Sequence, residues 1–185
     1  MILKRWVALS FLLLMAVLAV SAASLQVKIS PWLRVDERVN ELYHFQIIDD
    51  IRVVAETGLT NKGDQEKYTV YLLFPKKSSA YDTAANKILS VFYDKQIAAD
   101  FYFINFGGDN NLGYIALEEA KDTKADLIFS MGSSSTKFVS IAYRGGAIPV
   151  VSVCSKDPVI LGHLNDYING SNSNLAFTSL DVSIE

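Results

Sequence analysis

"ADLIFSMGSSSTKFVSIAYRGGAIPVVSVCS", residues 125–155, decides the fold. It opens on the apolar run ADLIFSMG and closes on a second, AIPVVSVCS, with Pro149 near the start of the latter, where a missing backbone donor does least harm. Between the two, Phe138, Ile141 and Ala142 recur at helical spacing. Gly145 and Gly146 supply a stop, because glycine takes the left-handed conformation at no steric cost. Strand, helix and strand in this order make a crossover unit, which joins parallel strands. The stretches DLIF and PVVSV are apolar without alternation, as strands covered on both faces are.

Two similar units precede it. KYTVYLLFP (67–75) is strand-like and is followed by Ala85, Ile88, Leu89 and Phe92 at helical period. ADFYFINFG (99–107) is the next strand, followed by Leu112, Ile115, Ala116 and Ala120. Four strand runs with helices between them predict an α/β fold, a doubly wound parallel sheet with helices on both faces, over residues 67–178. Residues 24–66 read as a partly helical N-terminal extension. Val35, Val39, Leu42 and Tyr43 fit a helix face, FQIIDDIRVV a strand or its continuation, and TGLTNKGDQE a polar loop. Such an extension is a packing appendage, or else a dimerisation or membrane-proximal helix.

The first residues carry Lys4 and Arg5, then an uncharged apolar run from Trp6 to Val20, then Ser21-Ala22-Ala23. This is the plan of an export signal over residues 1–23, with cleavage expected after Ala22 or Ala23 and a periplasmic location. The run is shorter than the ~20 residues of a spanning helix. The whole chain has 185 residues, 50% of them apolar, and a formal charge of −3. Losing Lys4 and Arg5 makes the remainder more acidic still, and no basic block is left, so a nucleic-acid partner is not expected. Cys154 is the single cysteine, which excludes an internal disulfide, and its apolar surroundings make it a core residue.

In an open parallel sheet, ligands sit beyond the carboxyl ends of the strands. Those ends are followed here by PKKSSAYD with Ser78 and Ser79, GGDNN, GSSST with Ser133, Ser134 and Ser135, and SKDP with Asp157. A helix start leaves backbone N–H groups unpaired and carries partial positive charge, so hydroxyls and a glycine placed there suit an anion such as a carboxylate. Ordinary capping is the alternative, but one cap needs one hydroxyl. Asp157-Pro158 is a good helix start and also a carboxylate able to meet a ligand amine. Lys76 and Lys77 read as a solvated loop face.

Catalysis has little support. His44 and His163 lack metal-ligand spacing, no G-x-S-x-G elbow occurs, and GGDNNLG has neither the order nor the position of a dinucleotide loop. No cofactor is expected, and a flavodoxin-like enzyme is the least favoured reading.

The blocks Asp126-Leu127-Ile128-Phe129 with Gly132-Ser133, Ile148-Pro149-Val150-Val151 and Asp157-Pro158-Val159 resemble the substrate-binding proteins of ATP-binding-cassette transporters, in the type I periplasmic-binding branch. Asn105 and Asp109 fit the N-x-x-G-D that such proteins place after the second strand, whereas NGSNSNLAFTSL keeps only Asn174 of a later family segment. The resemblance implies a non-catalytic, two-lobed protein that closes on a small solute, such as an amino acid, and presents it to a membrane permease. It assigns Ser133, Ser134 and Ser135 to a ligand carboxylate or other polar group, and Asp157 to an amine or hydroxyl across the cleft. On this comparison residues 179–185 begin a crossover to a second lobe. The expectation is a truncated chain whose first lobe is native-like, with weak or no ligand affinity of its own. A periplasmic sensory domain of a membrane signalling protein is the alternative function.

Overall fold

The sequence Tyr68–Phe74 forms β5, the middle strand of a seven-stranded sheet in the order β3 (Tyr43–Ile47), β4 (Arg52–Thr57), β6 (Ala99–Asn105), β5, β7 (Leu127–Met131), β8 (Val150–Val153) and β9 (Leu175–Thr178). Its side chains alternate between two cores. Val70, Leu72 and Phe74 enter one, Tyr71 and Leu73 the other, which is why the run is apolar without a polar beat. The computed structural model describes residues 25–61 and 66–178. The expected export signal lies outside the described residues, as does the expected crossover 179–185.

From β5 the chain runs through helix α2 (Ser79–Asp94) to β6 (Ala99–Asn105), then through α3 (Asn110–Asp122) to β7 (Leu127–Met131). Helix α4 (Gly132–Ala142) leads to β8 (Val150–Val153), and β9 (Leu175–Thr178) completes that side. The strands β6, β5, β7, β8 and β9 pair in parallel. Ala85 and Leu89 of α2 pack on one face; Leu117 and Ala120 of α3 and Val139 of α4 pack on the other. The molecule is therefore α/β, with helices on both faces of a mostly parallel sheet, an arrangement compatible with a flavodoxin-like fold.

Four differences from the sequence expectation have physical causes. The sheet is not wholly parallel. Residues 24–66 contribute β1 (Gln26–Lys28), β2 (Arg34–Asp36), the short helix α1 (Glu37–Leu42), and a hairpin of β3 (Tyr43–Ile47) and β4 (Arg52–Thr57). FQIIDDIRVV is thus two strands, turned where Asp49 Oδ1 accepts from the amides of Ile51 and Arg52 at 2.9 and 2.8 Å. Strand β4 pairs antiparallel with β6, so the hairpin extends the same sheet that residues 68–178 build.

The fourth crossover carries no helix. Residues 154–174 are a series of turns, with positive φ at Gly162, Gly170 and Asn172, ending in the short strand β9, which the sequence reading passes over. Because no helix returns on the α2 side there, Phe129, Val151 and Val153 stay half-buried along a groove beside Ile88, Val91 and Phe92. Two helix phases also differ. Ile115 and Ile141, expected to face inward, are 50% and 74% exposed. Leu117 and Val139 take the core positions instead.

The N-terminal part is fastened to α2 by buried polar side chains that act as a neighbouring strand would. Asp82 Oδ1 accepts from the Arg34 amide at 3.3 Å, and Asn86 Oδ1 from the Asp36 amide at 2.7 Å. Asp82 and Asn86 are 1% and 4% exposed, and each groups its acceptor with a backbone donor that would otherwise be buried unpaired. The Tyr43 hydroxyl adds a bond to Leu89 O at 3.0 Å.

Candidate functional site

The chain winds one way from β5 to β6 and the other way from β6 to β7, so the strand order reverses at the β5/β7 boundary. Crevices open at such a reversal, outside the carboxyl ends of the strands. A cleft of about 310 Å³ lies there, walled by Ala80 and Tyr81 of α2, Gly132 and Ser133 of α4, Cys154 to Lys156 after β8, and Thr178 of β9.

Gly132 is required on two counts. Its φ is +76°, and a β-carbon on it would come within 2.6 Å of ring carbons of Tyr81. The aromatic ring therefore lies directly against the start of α4. Burial, with Cys154 beside it, pushes the Tyr81 hydroxyl up, so it keeps its proton through the physiological range. Tyr81 is the cleft residue that sequence reasoning misses. An aromatic side chain in the first turn of a helix carries no signal that separates a cleft wall from a core contact.

The hydroxyls that follow β7 divide into two sets. Ser130 donates to Ser135 Oγ at 2.9 Å, and the Thr136 and Ser152 hydroxyls bond to each other, all four residues being at most 1% exposed. These pairs lock α4 onto β7 and β8. Ser135 consequently faces the core and does not line the cleft. Ser133 and Ser134 stand half-buried and exposed at the helix start, whose N-cap is Met131 with no side-chain cap bond. Capping does not account for them.

The other expected site residues lie apart from this cleft. Ser78 and Ser79 sit at the start of α2, where their carbonyls serve the helix: Ser78 O accepts from the amides of Tyr81 and Asp82, and Ser79 O from the Thr83 hydroxyl. Asp157 is turned into its own loop. Its Oδ1 accepts from the amides of Val159 and Ile160 at 2.7 and 3.2 Å, and its Oδ2 accepts from the Tyr167 hydroxyl, which together with the two amides holds the carboxyl below the usual carboxylate range. The neighbouring Lys156, not Asp157, lines the cleft. Asn105 and Asp109 shape the turn after β6, accepting from the amides of Gly107 and Asn111 at 3.2 and 2.8 Å. His44 is on edge strand β3 and His163 stacks on Phe177 of β9, at opposite edges of the sheet. Among the described residues no group of three His, Cys, Asp or Glu side chains converges as a metal site would need.

The cleft thus offers one cationic side chain, the Ser133 and Ser155 hydroxyls, a protonated phenol and the partly positive start of a helix. Its chemistry suits a small solute with a carboxylate at one end and an apolar body against Ala80, Ala84 and Val153. The chain matches no family model, no curated protein and no solved structure.

Proposed function

We propose that the chain is the solute-binding component of an ATP-binding-cassette import system, working in the periplasm and handing a small organic solute, such as an amino acid, to a membrane permease. The reading rests on the type I periplasmic-binding resemblance of the 126–159 blocks. One observation carries it: the uncapped start of α4, with Ser133 and Gly132, opens onto the cleft at the strand-order reversal. In this reading the described residues form one wall of an interlobe cleft. The Lys156 ammonium, the Ser133 hydroxyl and the first amides of α4 hold the solute carboxylate. Tyr81 forms the side wall. Closure of a second wall over the solute removes it from water and provides the state that the permease recognises.

A thermal-shift screen against amino acids and related solutes tests this. A solute at a hundred times its dissociation constant stabilises the fold by about 2.7 kcal/mol, which raises the Tm of a chain of this size by roughly 5–10 °C. The expected result is such a shift with at least one solute, lost on Ser133→Ala and reduced by Lys156→Gln. A screen in which no solute shifts the melt, or in which the shift survives these substitutions, overturns the proposal.

A further inference from the structure

A second cavity lies on the outer side of α4, away from the cleft except for the shared Ser133. It has a volume of about 560 Å³ and runs between the helix and the turn at residues 161–163. Lys137, Ser140 and Ile141 follow Ser133 at spacings that place them on one face of α4, and Arg144 lines the cavity just beyond the end of the helix. Across from them stands His163.

The charges here are unbalanced. No acidic residue lines the cavity. Among the described residues the ion pairs use Arg38, Arg52, Lys67 and Lys121, and neither Lys137 nor Arg144 takes part in one. Arg144 instead donates one bond, to the His163 carbonyl at 3.1 Å, which leaves most of its five N–H donors available. Burial, and after it the nearby Arg144 and Lys137, hold the His163 imidazole below the ordinary histidine range. In a chain of net negative charge, two cations that line one cavity with no carboxylate in the lining leave positive charge there for an anion to meet.

A second observation is independent of charge. The Ser140 hydroxyl has less than 1 Å² of accessible surface and no hydrogen-bond partner among the described residues, yet Ser140 is part of the cavity lining. An unpaired buried hydroxyl is costly, and native structures rarely leave one without a use.

We propose that this cavity is a binding site for a small solute bearing a phosphate-type dianion. Two cations match a charge of about −2, and the forked guanidinium, the ammonium and the Ser140 and Ser134 hydroxyls offer more donors than one carboxylate takes up. The volume lies within the range of small-molecule sites. The site is independent of the solute cleft proposed above, and either stands if the other falls.

The test is a titration of the full chain with inorganic phosphate, followed by amide chemical shifts at Lys137, Ser140, Arg144 and His163. Saturation with a dissociation constant at or below ~1 mM is expected. Lys137→Gln and Ser140→Ala each weaken it about tenfold, the scale of one hydrogen bond to a charged group. Lys156→Gln, in the cleft, leaves it unchanged. Ser140→Ala also melts at the temperature of the parent or above it when phosphate is absent, because its hydroxyl has no partner to lose. Absence of saturation overturns the proposal. So does phosphate binding that is indifferent to Lys137→Gln, or equally weakened by Lys156→Gln, since either marks diffuse attraction. A marked loss of phosphate-free stability in Ser140→Ala overturns it as well, by showing an internal partner for the hydroxyl.

Discussion

Replacing Gly132 with alanine places a β-carbon where the structure has a tyrosine ring and a backbone that L-residues avoid. The cost has two separable parts. Holding alanine at φ +76° costs about 1–2 kcal/mol. Forcing the Tyr81 ring carbons away from 2.6 Å adds about 1–3 kcal/mol of overpacking. The lower entropy of an alanine-containing unfolded chain returns about 0.4–1 kcal/mol. The net expectation is a loss of about 1–4.5 kcal/mol, read as a lower urea midpoint with an unchanged slope. A double-mutant cycle isolates the second part. In the background of Tyr81→Ala, where the ring is gone, Gly132→Ala costs only the backbone term. Tyr81→Phe gives no such relief, because the ring carbons remain. A loss below about 1 kcal/mol in the single variant, or the same loss with and without the ring, would refute the packing of Tyr81 on the start of α4.

Other perturbations test other parts of the structure. Asn174, just before β9, ties down the loop between α4 and β8, its Oδ1 accepting from the Gly145 amide at 2.7 Å and its Nδ2 donating to Ile148 O at 2.9 Å. Asn174→Ala should therefore lower stability by about 1–2 kcal/mol in denaturant melts, and Asn174→Asp, which keeps only the acceptor, should not restore it. Ser135→Ala strands the buried Ser130 hydroxyl and should cost about 1–3 kcal/mol, whereas Ser134→Ala at the surface should stay within about 0.5 kcal/mol. Burial raises the carboxyl of Asp82 above the ordinary aspartate range, outweighing the Arg34 amide and the nearby positive charges. The folded state thus favours its neutral form, and that contribution is present at acid pH and lost as pH rises through the folded value. Asp82→Asn keeps the acceptor for Arg34, so it should melt higher than the parent at pH 7, with the gap closing below about pH 4. A gap that widens in acid would contradict the assignment.

The strands β5 to β8 were legible because a strand covered on both faces has an apolar residue at nearly every position, a signal that four to seven residues suffice to carry. The hairpin of β3 and β4 was harder to see, since its turn is two aspartates within an otherwise apolar run, and its direction is fixed only by pairing with β6. Strand β9 is four residues long and preceded by polar turns, so neither periodicity nor length marks it. The position of the candidate cleft followed from topology alone. Which hydroxyls reach it did not, because that depends on the phase of α4, which turns Ser135 and Val139 to the core and leaves Ser134 and Ile141 exposed. The phase is set by the Ser130–Ser135 and Thr136–Ser152 pairs, contacts between elements that a linear pattern cannot show. Asp157 illustrates the same limit, since a carboxylate at a strand end looks identical in sequence whether it faces a ligand or its own loop.

The most direct test of solute binding in the cleft is amide chemical-shift mapping of the isotope-labelled chain during titration with the solutes of the thermal-shift panel. The expected result is saturable perturbation centred on Tyr81, Gly132, Ser133 and Lys156, abolished by Ser133→Ala combined with Lys156→Gln. Perturbation confined to other surfaces, or none with any solute, would contradict the assignment of this cleft as the binding site.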